Sequence, residues 1–230
     1  MSDLDPGGAV TPWRVPQPAS APFEDVEAAL LASELAIAEA MVDAYQKRSA
    51  ITRADFYAMG VARRATALSA GFRSMVQQRN SLCALPIVRM QLDTVLRLYA
   101  GFFAPDHQAF CDAVFKGARI NTMHADDGQQ MRDKYLLTRV ATRNPWMNDV
   151  YNLTSGYIHF SSKHIFEALK TDGEGGISMI ISPNDYDREP VHFHEPMRCM
   201  HHLNLVIECA LVDWLDRMCV PPTSNDEDAW

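Results

Sequence analysis

Apolar residues recur at helical spacing along most of the chain. Between Glu24 and about Arg48, Val26, Leu30, Leu31, Ile37, Met41 and Tyr45 fall near that spacing among alanines and glutamates, which predicts a first helix. A second is expected from Arg53 to Arg79, with Phe56, Met59, Leu68, Phe72 and Met75 on one side, so that the two form a long antiparallel hairpin. The stretch Ser81–Phe103 is apolar on almost every face, the mark of a central helix, with Pro86 expected in its first turn. Pro105 and Asp106 break the chain before a shorter helix at His107–Lys116, and another is read at Asp126–Ala141. Asn144 followed by Pro145 is a helix start, and that helix is expected to run to about Leu169.

Gly173, Gly175 and Gly176 should end it. The β-branched run at 177–182 (ISMIIS), turn-forming residues at 184–190 and VHFH at 191–194 suggest a small β-hairpin near residues 177–194. A last helix is expected from Pro196 to Met218. The pattern therefore predicts an all-α fold, a bundle of about six or seven helices occupying residues 23–219 as one domain. Residues 1–22 carry Pro6, Pro12, Pro16, Pro18 and Pro22 and are expected to be a disordered tail. The acidic end, residues 220–230, is read the same way.

Composition narrows the choices. The chain has 230 residues, 47% hydrophobic and 22% charged, ordinary values for one globular core. A net charge of −8 disfavours broad electrostatic capture of nucleic acid or an anionic bilayer, while leaving room for a local basic site. Arg63, Arg64, Arg73 and Arg79 could form a small basic face, but are better read as pairing with acids on the first helix. The five cysteines form no CxxC pair and read as buried thiols of a reducing compartment. The N-terminus lacks an apolar leader, and no apolar run reaches membrane-spanning length. A cytoplasmic protein with no membrane contact is expected.

Two helices carry the candidate chemistry. Arg89, Asp93 and Arg97 lie four apart in the apolar third helix and so share a face. A buried charge must be paired, and Arg89 with Asp93 is the nearest pairing. In the Pro145 helix, Trp146, Val150, Leu153 and Tyr157 form an apolar stripe beside a polar one of Tyr151, Ser155, His159 and Ser162. Of these, His159 titrates near neutral pH.

An Arg followed four residues later by an acid, then a Tyr-x-x-x-Ser-x-x-x-His helix, resembles an uncharacterised family of the HEPN-like superfamily (higher eukaryotes and prokaryotes nucleotide-binding bundles). Arg89 and Asp93 match the first element, with Asp where Glu is expected. Tyr151, Ser155 and His159 match the second. The resemblance spans about residues 30–170. It implies an all-α bundle, often dimeric, in a superfamily that includes metal-independent RNases of prokaryotic defence and stress response. His159 would then be the general acid/base, Arg89 the phosphate partner, and Asp93, Tyr151 and Ser155 positioning groups, acting on RNA at a local site. The Arg–His spacing of active members occurs at Arg119–His124 and Arg188–His194, both in segments read as loops. A degenerate member lacking activity is the companion expectation.

The competing reading is a non-catalytic protein-binding or oligomerisation module, a homodimer or a partner's docking platform, in which the same residues form a structural polar network. A third reading would place a metal on His192, His194, His201 and His202, but their spacing fits no zinc signature, and surface or interface histidines are expected there. No phosphate loop or serine-hydrolase elbow is present. Neither a cofactor nor a metal is expected.

Overall fold

The computed structural model describes residues 23–171, 176–186 and 189–219. Both expected tails, Gly173, Gly175 and Arg188 lie outside them. Within them are eight α-helices: α1 (Phe23–Gln46), α2 (Arg53–Gln77), α3 (Ser81–Phe103), α4 (His107–Phe115), α5 (Asp133–Ala141), α6 (Trp146–Ser155), α7 (Ser162–Glu167) and α8 (His194–Arg217). Strands β1 (Leu169–Thr171) and β2 (Ile177–Met179) lie between α7 and α8. The fold is an all-α bundle, as the hydrophobic pattern predicts.

α3 is the hub and packs on α2, α8, α6, α5 and α4, while α1 runs along α8 and α2. Leu92, Val95, Leu96 and Leu98 of α3 are fully buried. The buried face of α2 is made largely of small residues, Ala54, Ala58, Val61, Ala62, Ala65 and Ser69, which let the helices approach closely. The larger Phe56, expected to face inward, is instead 45% exposed. Trp214 of α8 is fully buried and donates from Nε1 to the Ala54 carbonyl at 3.0 Å. Its ring lies so close to Gly101 that an added Cβ would sit 2.6 Å away, so only glycine fits there.

Caps explain the ends of α2. Thr52 and Asp55 form a capping box at its start. Asp55 is fully buried and lies 3.3 Å from Arg48. Arg48 also donates to the carbonyls of Leu215 and Cys219, so one cation joins the first hairpin to the end of α8.

Four expectations are corrected. Pro86 is the sixth residue of α3, which begins at Ser81, and so lies beyond the first turn. The helix expected from Asp126 starts only at Asp133, because Asp127 Oδ1 accepts from the Gln129 amide at 2.9 Å and Gly128 adopts φ +79°; that is turn chemistry. The helix expected over 145–169 is broken after Ser155. There Thr154 Oγ1 and Ser155 Oγ donate back to the carbonyls of Val150 and Tyr151, and Lys163 Nζ donates to that of Leu153. The hydroxyl bonds are the back-bonding that bends a helix, while Lys163, and the Tyr157 and Ile158 amides at 3.0 and 3.3 Å, take the carbonyls of Leu153, Thr154 and Ser155 that a longer helix would have used. Finally, β2 pairs antiparallel with β1, Leu169 opposite Met179 and Thr171 opposite Ile177, not with residues 191–194. Those lie in a 3₁₀ turn, Pro190–Phe193, led by proline, whose fixed φ suits that turn and not a ladder.

Candidate functional site

The charged residues of α3 sit on the side where α2, α5 and α6 meet it. Arg89 does not pair with Asp93. Its Nη2 donates to Asp133 Oδ2 at 3.1 Å, and its guanidinium lies 4.4 Å from the centre of the Tyr151 ring. Asp133, in the first turn of α5, also accepts from Arg97. Arg97 reaches Asp93 at 2.9 Å, and Asp93 meets Arg64 of α2 at 3.4 Å. The result is an alternating chain, Arg64–Asp93–Arg97–Asp133–Arg89, ending on the face of Tyr151. Each aspartate bridges two arginines, so three cations share two anions. Burial lowers the Arg97 pKa, but Asp93 and Asp133 outweigh it and raise the value overall.

Sequence reasoning missed Asp133 because it assigned the residue to the interior of a longer helix. Its position as the first residue of α5 is what aims it at α3, and an acid there also suits the helix dipole. Arg64 was assigned to a basic face with acids on the first helix. Of the four arginines in that set, Arg73 does pair with α1, through Glu34 at 3.1 and 3.2 Å. Arg64 turns to α3, Arg63 is exposed, and Arg79 donates to the Tyr186 carbonyl at 3.1 Å. They do not share one face.

The second motif does not assemble. Tyr151 stands under Arg89, but Ser155 is committed to the carbonyl of Tyr151. His159 follows the end of α6, is exposed, and has no hydrogen bond or ring contact among the described residues. Because α6 ends at Ser155, the i+8 position no longer falls on the helical face. Of the apolar stripe, Leu153 is 64% exposed; Met147, Val150 and Thr154 are the buried side.

A second polar cluster, absent from the sequence reading, lies inside the bundle. Gln91 Nε2 donates to Asn204 Oδ1 at 2.7 Å and to the Ala65 carbonyl at 3.2 Å. Asn204 Nδ2 in turn donates to Ser33 and Ser69 at 3.2 and 3.0 Å. Ser33 gives its own proton to the Leu30 carbonyl, and His201 Nδ1 lies 3.2 Å from the same oxygen, which requires the proton on Nδ1. Burial holds the His201 pKa below its ordinary value. The signal was available: Gln91 and Asn204 interrupt otherwise apolar helix faces.

His201 and His202 are therefore buried within the bundle, at 8% and 6% exposure, where surface or interface histidines were expected. His202 packs edge-on against Trp146. The strand that would align His192 with His194 is absent, and no three His, Cys, Asp or Glu side chains are grouped to hold a metal among the described residues. No described helix is long and apolar enough to cross a membrane. This chain matches no family model, no curated protein and no solved structure.

Proposed function

We propose that this protein is a non-catalytic oligomerisation module whose copies meet through the segment containing α7, β1 and β2. The observation that carries the proposal is the orientation of that segment. Ile177, Met179 and Ile181 alternate along β2 and its extension, hence share a face, and are 71%, 69% and 93% exposed. Phe160 and Phe166, earlier in the same stretch of chain, are 82% and 70% exposed. A sheet normally buries its apolar face; β2 is exposed on both faces, which leaves its apolar side chains uncovered among the described residues.

The occupant we assign is a second copy of the chain. Two short strands are marginal alone, and β2 carries an open edge that an identical edge can pair with about a two-fold axis. Five further large apolar side chains are exposed between Leu153 and Val191, so this stretch of chain is rich in uncovered apolar side chains, which mark interaction surfaces where they gather. An apolar patch with an open strand edge is complementary to itself without any charge match.

The HEPN-like nuclease remains the competing proposal. It needs a proton shuttle within hydrogen-bonding reach of its substrate and cation, whereas Arg89 is held by Asp133 and Tyr151 and His159 lies off the helix. Sedimentation equilibrium tests the main reading: wild type should be a dimer at micromolar concentration, and Ile177→Lys with Met179→Lys should be a monomer of unchanged melting temperature. A monomeric wild type would sink it. RNA cleavage in EDTA that is lost in folded His159→Ala would instead establish the nuclease.

A further inference from the structure

A cleft of about 480 Å³ opens between α2, α3 and α4, on the side of α3 that carries Asp93 and Arg97. Its walls are apolar: Phe56 and Val61 of α2, Val114 and Phe115 of α4, and Ile120 beyond. Phe56 and Phe115 lean together at 6.1 Å between ring centres and are 45% and 63% exposed. The inner end is charged, with Arg64, Asp93, Thr94 and Arg97. This volume falls within the range of small-molecule sites, and so does the mixture of apolar walls with a few polar groups.

We propose that this cleft binds a small amphiphilic anion, an aromatic body bearing one carboxylate, sulfonate or phosphate. The charge balance favours an anion: Arg64, Arg89 and Arg97 face only Asp93 and Asp133, leaving one positive charge over. Arg53, at the outer rim, is already offset by Asp112 at 2.8 Å. Arg97 meets both acids through Nη2, while its Nη1 is buried without a hydrogen-bond partner. Arg64 is the cation available to a ligand. Thr94 orients its Nε at 2.9 Å, but its contact with Asp93 is 3.4 Å, longer than a charge-assisted hydrogen bond prefers. The aromatic body is matched by the exposed Phe56–Phe115 pair, which supplies faces and edges for ring contact.

Gly60, exposed on α2 between Phe56 and Arg64, lines the cleft, and a Cβ added there meets nothing within 4 Å. A larger side chain at this position therefore has room to occupy the cleft without displacing the protein.

The test uses the full chain with two fluorescent probes, anilinonaphthalene sulfonate and the uncharged phenyl naphthylamine. Wild type should bind the sulfonate at one saturable site, about tenfold or more tightly than the uncharged probe, a gap worth about 1.4 kcal/mol per decade. Gly60→Leu should occupy the cleft and abolish that binding while its melting temperature holds or rises. Arg64→Met should reduce sulfonate affinity to that of the uncharged probe. Undiminished binding in Gly60→Leu would place the probe elsewhere, on the outward face of β2, and overturn the site. Equal affinity for both probes in wild type would overturn the anion, and no saturable binding would overturn the proposal as a whole.

Discussion

The bundle around α3 and the segment holding α7, β1 and β2 obey opposite rules. In the bundle the large side chains are inside: Trp214, Phe72, Leu92 and Leu96 are fully buried. Polar groups that enter it are tied to one another, as in the Gln91–Asn204–Ser33 line. In the other segment the large side chains are outside, and among the described residues its one sheet packs chiefly on α7. The two regions have comparable apolar residues but different partners. A bundle helix finds its partner within the chain. β2 finds only the short β1 among the described residues, which is why its uncovered apolar side chains read as half of an interface.

The comparison breaks most visibly in stability. Trp214→Ala should cost about 3–5 kcal/mol, because it empties a site in contact with Tyr57, Phe102 and Gly101. For a chain of this size that lowers the melting temperature by roughly 10 °C or more. Phe166→Ala, made in the monomeric Ile177→Lys/Met179→Lys chain, should change it by less than about 0.5 kcal/mol. Differential scanning calorimetry reads both. Equal losses would mean that Phe166 packs on the bundle and that the two regions are not distinct.

The ion chain offers a smaller and sharper contrast. Asp133→Asn removes the carboxylate shared by Arg89 and Arg97 and should cost about 1–2 kcal/mol, the range for losing charged hydrogen bonds that are partly solvated. His159→Ala should be neutral within about 0.5 kcal/mol. Combining Asp133→Asn with Arg89→Met should cost less than the sum of the two, since they remove one contact between them. Additive losses in chemical denaturation would show that Arg89 draws its support from Tyr151 alone.

The sequence made the bundle legible because 3.6-residue periodicity is a strong signal in long helices. α3 is read to the residue, and α1, α2, α4 and α8 to within a few residues. What failed were features set by side-chain hydrogen bonds to the backbone. Nothing in the spacing of Tyr151, Ser155 and His159 announces that Lys163 and the Tyr157 and Ile158 amides will take the last carbonyls of α6. One early stop then removes His159 from the face it was assigned to. The Arg89–Asp93 pairing failed for a related reason. At i, i+4 the two residues are neighbours, but Asp133 reaches Arg89 across the helix interface, and sequence spacing carries no information about which long-range acid arrives. The inward face of α2 was missed because small residues contribute little to a hydrophobic pattern although they set how closely helices pack.

His201 gives the finest test of the contrast, because it is a buried histidine of the bundle, whereas His164 of α7 is only partly buried. Burial lowers its folded pKa below the unfolded value of about 6.5. The unfolded chain therefore binds the proton more readily, and stability must fall as pH drops through that value toward the folded pKa. Above it the contribution is fully present. The neutral ring, with its proton on Nδ1, fits beside Ser33 and edge-on to His202, whereas a charged ring would be desolvated there without an acid partner in its hydrogen-bond line. Melting temperatures measured from pH 7.5 to pH 5 should decline for wild type and decline less steeply for His201→Gln. If His201→Gln kept the wild-type slope instead, the titrating group that matters would lie elsewhere, and the division between the two regions would have to be redrawn around it.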